Sequence, residues 1–220
     1  MNWIKNCFLF VVLVTGLFAS AQRPAFYKDI QAFKKQDSLQ APPANAILLI
    51  GSSSFTRWKD VHNYFPGYVL LNRGFGGSSL PHLIHYANDI IFPYQPKQII
   101  IYCGENDLSA SDTVSSKMVL ERFKTLFSMI RKQLPATPVA FVSLKPSPSR
   151  QHLMPRMEAV NKDIKKYLKR KKNTAFIDVY HAMLNKEGLP MPHLFVEDNL
   201  HMNAEGYAIW QKIIEPYLLK

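Results

Sequence analysis

The sequence predicts a three-layer α/β/α sandwich on a mostly parallel five-stranded sheet, and two observations carry that expectation. Strand-forming segments recur five times as continuous apolar runs, the pattern of strands buried on both faces, without the alternation of a half-exposed strand. Helical periodicity separates most of them, the order expected of βαβ units. A chain of 220 residues, 47% apolar and 20% charged, is large enough to bury such a core as one domain.

The elements follow in order. The opening "MNWIKNCFLFVVLVTGLFASAQ" has one lysine, an apolar stretch from Cys7 to Phe18 and the small residues Ala19-Ser20-Ala21. That is the three-part pattern of a secretory signal over residues 1–21, cleaved before Gln22, and the apolar run is short for a bilayer span. The mature domain is therefore expected over residues 22–220, secreted or periplasmic, with no membrane span left after cleavage. Phe26, Ile30 and Phe33 then stand at helical spacing, and "QAPPANA" ends that helix. The five strand runs are "AILLI" (46–50), "YVLLN" (68–72), "KQIIIYC" (97–103), "TPVAFVSL" (137–144) and "TAFIDV" (174–179). Helical patterns occupy Leu80 to Ile91, Val114 to Leu134, His152 to Arg170 and Asn203 to Leu218.

Charge and cysteine usage narrow the function classes. The formal net charge is +11, and much of the excess lies in "KDIKKYLKRKKN" (162–173), the exposed late part of a helix, where cations also favour the helix dipole. Without an RNA-binding signature or zinc-finger spacing, and with an export signal, no nucleic-acid partner is expected. Cys7 leaves with the signal, so Cys103 is the one thiol of the mature chain, with no internal disulfide to form. It ends an apolar run and reads as a small buried residue.

In a parallel α/β sheet the ligand crevice lies beyond the carboxyl ends of the strands, so the residues just after each strand carry the functional signal. After the first strand stands Gly51-Ser52-Ser53-Ser54, after the second "NRGFGGSS" (72–79), and after the third Gly104-Glu105-Asn106-Asp107. Beyond the last strand, "VEDNLHMNAEGYAIW" offers Asp198 and His201 three apart. Together they supply the parts acyl transfer requires. A serine hydroxyl needs a base to take its proton, histidine suits that task, and a carboxylate holds the imidazole tautomer. The tetrahedral oxyanion needs preorganised donors, available from the backbone N–H of Gly77, the Asn106 amide and the nucleophile's own N–H.

These blocks resemble those of the SGNH hydrolases, also called GDSL esterases, over nearly the whole mature chain. Gly51-Ser52-Ser53 stands where that family has Gly-Asp-Ser, so the resemblance implies Ser53 as nucleophile. "NRGFGG" is similar to the block ending in an oxyanion glycine, here Gly77. Gly104-x-Asn106-Asp107 is similar to the block supplying an oxyanion asparagine, here Asn106, and Asp198-x-x-His201 to the acid and base block. The resemblance also implies a flavodoxin-like sheet and a serine esterase working without metal or organic cofactor. Ser52 departs from the family's usual Asp. Ser52 and Ser54 themselves read as turn or cap residues. The Gly-Ser-Ser-Ser start together with "SLKPSPSR" resembles a secreted bacterial branch.

Other readings of the same residues fall away. A dinucleotide loop needs Gly at position 79, where Ser79 stands, and an α/β-hydrolase elbow needs Gly where Phe55 stands. His82, His85 and Asp89 share one helix face and read as a polar stripe in place of a metal site. Arg73 is a candidate contact for an anionic substrate group, with a structural ion pair as the alternative. "KPSPSR" is expected to form a stiff lip above the site. The expected substrate is a small carboxylic ester or acylated glycan, with short acyl or O-acetyl groups favoured. A lysophospholipase, a thioesterase or a non-catalytic glycan-binding module on the same fold are the alternatives.

Overall fold

A computed structural model describes residues 23–220; the export signal expected over residues 1–21 lies outside them. Five strands, β1 (Ile47–Gly51), β2 (Leu70–Asn72), β3 (Gln98–Tyr102), β4 (Val139–Val142) and β5 (Thr174–Ile177), form one sheet in the order β2-β1-β3-β4-β5. All four pairings are parallel. The continuous apolar runs have the expected cause: side chains of β1 alternate between two separate cores. Leu48 and Ile50 join one, and Ile47 and Leu49 the other.

The helices are α1 (Tyr27–Leu39), α2 (Ser53–Thr56), α3 (Val61–Tyr64), α4 (Leu80–His85), α5 (Ala87–Ile90), α6 (Glu105–Ser109), α7 (Ser116–Gln133), α8 (Met154–Leu168) and α9 (Ala204–Ile214). Buried residues of α1, α4, α5, α7 and α8 cover one face of the sheet, and those of α2, α3 and α9 the other. The three-layer α/β/α expectation therefore holds. α7 and α8 each turn one apolar stripe inward, Phe123, Leu126 and Ile130 from α7 against Met157, Val160 and Ile164 from α8. The basic run 162–173 occupies the exposed side and end of α8. Cys103 is buried, which pushes its thiol pKa well up. No helix among the described residues is long and apolar enough to cross a membrane.

Two expected helices are shorter than the sequence pattern. The one expected over Leu80 to Ile91 breaks at Tyr86, where φ −98° and ψ 11° leave the helical region, dividing it into α4 and α5. The one expected to reach Leu218 gives way after Ile214 to a 3₁₀ turn over Glu215–Tyr217. Pro216 has no N–H to continue the ladder and its ring crowds the preceding turn.

Candidate active site

Ser53, Gly77 and Asn106 follow the ends of β1, β2 and β3, while Asp198 and His201 stand in the turn before α9. β1 ends at Gly51, whose φ of +147° suits glycine, and a Cβ there would lie 1.9 Å from the Tyr102 carbonyl oxygen. A residue without a side chain thus lets β1 and β3 pass closely, and the chain turns at once into α2 with Ser53 as its first residue.

His201 comes from the turn before α9, and that turn is built by its own sequence. Asn203 caps α9, accepting from the N–H groups of Glu205 (3.0 Å) and Gly206 (3.1 Å), and its Nδ2 donates to the His193 carbonyl. A Cβ on Gly206 would come within 2.6 Å of the Leu194 carbonyl oxygen, so the helix packs there only with glycine. Tyr207 donates its hydroxyl proton to the Ser54 carbonyl at 2.8 Å, tying α9 to α2.

The result is a hydrogen-bonded chain of three side chains. His201 Nε2 lies 2.9 Å from Ser53 Oγ, and His201 Nδ1 lies 2.6 Å from Asp198 Oδ2. The other oxygen, Asp198 Oδ1, accepts from the backbone N–H groups of Leu200 (2.9 Å) and His201 (2.8 Å). Partial burial alone would raise the Asp198 pKa. The bonds from the His201 backbone and ring and from the Leu200 N–H outweigh it and hold the carboxyl well below the usual range.

Ser53, Gly77 and Asn106 line one cleft of about 300 Å³ together with Thr56, Arg57, Gly76, Arg150, Leu200 and His201. The N–H groups of Ser53 and Gly77 meet no protein acceptor among the described residues. Gly77 has φ +83°, the left-handed region that glycine enters freely. Asn106 Nδ2 donates to Ser52 Oγ (2.7 Å) and to the Ser78 carbonyl (3.0 Å). Ser52 sits at the position before α2, but its side chain makes no cap; it serves as an acceptor for Asn106 instead. Ser54 is buried in the first turn of α2.

Other sequence candidates are placed elsewhere. Arg73, considered as a substrate contact, is buried on the α1 side: it pairs with Asp37, donates to the Tyr94 hydroxyl at 2.8 Å and lies over the Phe33 ring. Its charge is committed there, and the structural ion pair replaces the substrate reading. His82 Nδ1 meets Ser79 Oγ at 2.8 Å and Asp89 pairs with Lys34, so the polar stripe is divided among local partners. Asp107 accepts from the Leu80 N–H (2.9 Å) and Arg122 (2.8 Å), joining the third block to the start of α4. The "KPSPSR" segment does reach the cleft, through Arg150 in the 3₁₀ turn Pro148–Leu153. Sequence reasoning gave that arginine no role.

A parallel α/β sheet with a serine, a histidine and an aspartate joined in this way has the form that serine hydrolases use. The chain matches the model of the GDSL-like lipase/acylhydrolase family over residues 45–209, and it belongs to that family of ester hydrolases. No curated protein matches it. Solved structures share its fold at low identity. A protein from Streptococcus pneumoniae is 18% identical with a TM-score of 0.76, covering 87% of this chain and 92% of that one. A GDSL-like lipase from Bacteroides thetaiotaomicron is 18% identical with a TM-score of 0.72, covering 86% and 96%. An acetylxylan esterase from Geobacillus stearothermophilus is 12% identical with a TM-score of 0.62, covering 79% and 94%.

Proposed function

We propose that the protein is an exported bacterial serine esterase that releases short acyl groups, O-acetyl groups on glycans foremost, through an acyl-enzyme. The observation that carries this reading is the chain from Ser53 Oγ through His201 to Asp198, opening into a cleft beside unpartnered N–H groups. His201 Nε2 takes the Ser53 proton as Oγ attacks the ester carbonyl, and Asp198 holds the proton on Nδ1 and balances the imidazolium. The N–H groups of Ser53 and Gly77 and the Asn106 amide receive the oxyanion. His201 then protonates the leaving alcohol and activates the water that frees the acid.

Leu200 is the one apolar side chain among the nine residues lining the cleft, which suits an acetyl group better than a long acyl chain. The fold shared with an acetylxylan esterase supports the same choice. The signal pattern over residues 1–21 supports export.

The test is hydrolysis of p-nitrophenyl acetate, longer esters and acetylated polysaccharides by wild type and Ser53→Ala. Wild type should turn over the short esters, with Ser53→Ala at background and a fluorophosphonate label mapping to Ser53. Equal rates for the two proteins on every ester would end the enzyme reading. A label on Ser52 or Ser54 would displace the nucleophile and leave the class intact.

A further inference from the structure

Asn106 is a weak point in a simple oxyanion scheme, because an amide can sit either way round and only one way presents Nδ2 to substrate. Two neighbours remove the choice. Arg150 carries only donors, so the amide atom 2.9 Å from its Nη2 is Oδ1. The Ser78 carbonyl only accepts, so the atom 3.0 Å from it is Nδ2. The second Nδ2 hydrogen rests on Ser52 Oγ at 2.7 Å.

Arg150 is itself anchored. Its Nη1 donates to Glu105 Oε1 at 2.9 Å, while Glu105 Oε2 accepts from the Tyr102 hydroxyl and faces Lys145 Nζ at 3.5 Å. Tyr102, Glu105 and Lys145 are all buried. Burial by itself would raise the Glu105 pKa, but the two cations and the hydrogen bonds overcome it, so the group stays a carboxylate. Glu105 thus fixes Arg150, whose guanidinium stands behind the oxygen end of the Asn106 amide.

We propose that Arg150 is the positioning residue of the oxyanion site: bonded to Oδ1, it holds Nδ2 toward the cleft and polarises the amide so that its N–H donates more strongly. The proposal rests on the acyl-transfer reading above. In the resting enzyme the Ser52 hydroxyl is the placeholder acceptor. An oxyanion forming beside Ser53 is charged and outcompetes that neutral hydroxyl, so one N–H passes from Ser52 to the intermediate while the Ser78 bond keeps the amide in place. Arginine suits the task because one planar fork reaches Glu105 and Asn106 together, which a lysine ammonium does not reproduce.

The experiment is a double-mutant cycle of Arg150→Met and Arg150→Lys with Asn106→Ala, reading kcat and KM on p-nitrophenyl acetate, fluorophosphonate labelling of Ser53, and thermal melting. Arg150→Met should lower kcat about 10- to 100-fold, the worth of one charge-assisted hydrogen bond, with KM within about threefold. Arg150→Lys should recover little of it, and if Arg150→Met melts below the assay temperature the lysine variant carries the test. On the Asn106→Ala background either change should cost under about threefold, because the group through which Arg150 acts is gone. A full-sized loss on that background overturns the proposal, as does a rise in KM at unchanged kcat, which would make Arg150 a substrate contact. A wild type that is labelled and active but matched by Arg150→Met overturns this proposal alone. A wild type neither labelled at Ser53 nor active on any ester overturns the esterase reading and this proposal with it.

Discussion

Replacing Asp198 by asparagine separates the carboxylate's chemical role from its structural one. Asp198 Oδ1 accepts from two backbone N–H groups, at 2.9 and 2.8 Å, and these are obligate donors. In Asp198→Asn the side-chain oxygen must therefore keep that place, which forces the NH₂ to the position now 2.6 Å from His201 Nδ1. An NH₂ facing Nδ1 makes that nitrogen an acceptor, so the ring proton moves to Nε2 and points at Ser53 Oγ. A protonated Nε2 cannot take the serine proton. Loss of the correct tautomer in a triad of this kind costs up to about 10⁴ in kcat. At 1.36 kcal/mol per decade, a loss of 10³ to 10⁴ corresponds to about 4 to 5.5 kcal/mol of transition-state stabilisation. The assay is steady-state hydrolysis of p-nitrophenyl acetate at neutral pH, with thermal melting alongside to show that the turn before α9 survives. KM should change little. A kcat loss below tenfold in a folded variant would refute the reasoning, since Asp198 would then not set the His201 tautomer.

Three further outcomes follow from the same contacts. Arg73→Met should destabilise the fold by about 1 to 3 kcal/mol, because it leaves the half-buried Asp37 carboxylate with the Tyr94 hydroxyl alone, while kcat and KM of the folded protein stay within about twofold; a large rise in KM would return Arg73 to the substrate site. Asn161→Ala should cost about 2 to 5 kcal/mol by denaturant titration, because buried Asn161 satisfies both the N–H (2.7 Å) and the carbonyl (3.0 Å) of Leu144; a loss under 1 kcal/mol would mean those groups find other partners. Asp198 binds its proton less tightly folded than unfolded, so its contribution is complete above the unfolded value of about 4 and is lost as the pH falls below it. The difference in urea midpoint between wild type and Asp198→Asn should shrink from pH 5 toward pH 2, and a difference that grew in acid would contradict the sign.

What the sequence made legible was local. The five apolar runs become the five strands because burial on both faces is written into consecutive residues, and "MNAEGYAIW" becomes cap, glycine contact and helix because each step spans three or four positions. What it concealed depended on partners far along the chain. The ion-pair reading of Arg73 had no partner to name because Asp37 lies 36 residues away, Ser52 looked like a cap because Asn106 is 54 away, and Arg150 carried no signal because it acts across 44 residues on Asn106. Two breaks are local exceptions: apolar spacing through Leu218 masked Pro216, and the pattern from Leu80 to Ile91 ran on across Tyr86.

The cleft joins loops that are each fastened to another. Asn72 donates to the Phe55 carbonyl (2.7 Å), binding the second loop to α2, and Ser78 Oγ donates to the Gly51 carbonyl (3.1 Å). Asp107 ties the third loop to α4, Arg150 ties the fourth to the third, and the Ser149 N–H reaches the Asn199 carbonyl (3.0 Å) beside Asp198 and His201. A site assembled this way gains preorganisation from bonds between loops more than from any one loop's stiffness. Asn106 is the clearest case, held at Nδ2 by Ser52 Oγ and the Ser78 carbonyl and at Oδ1 by Arg150.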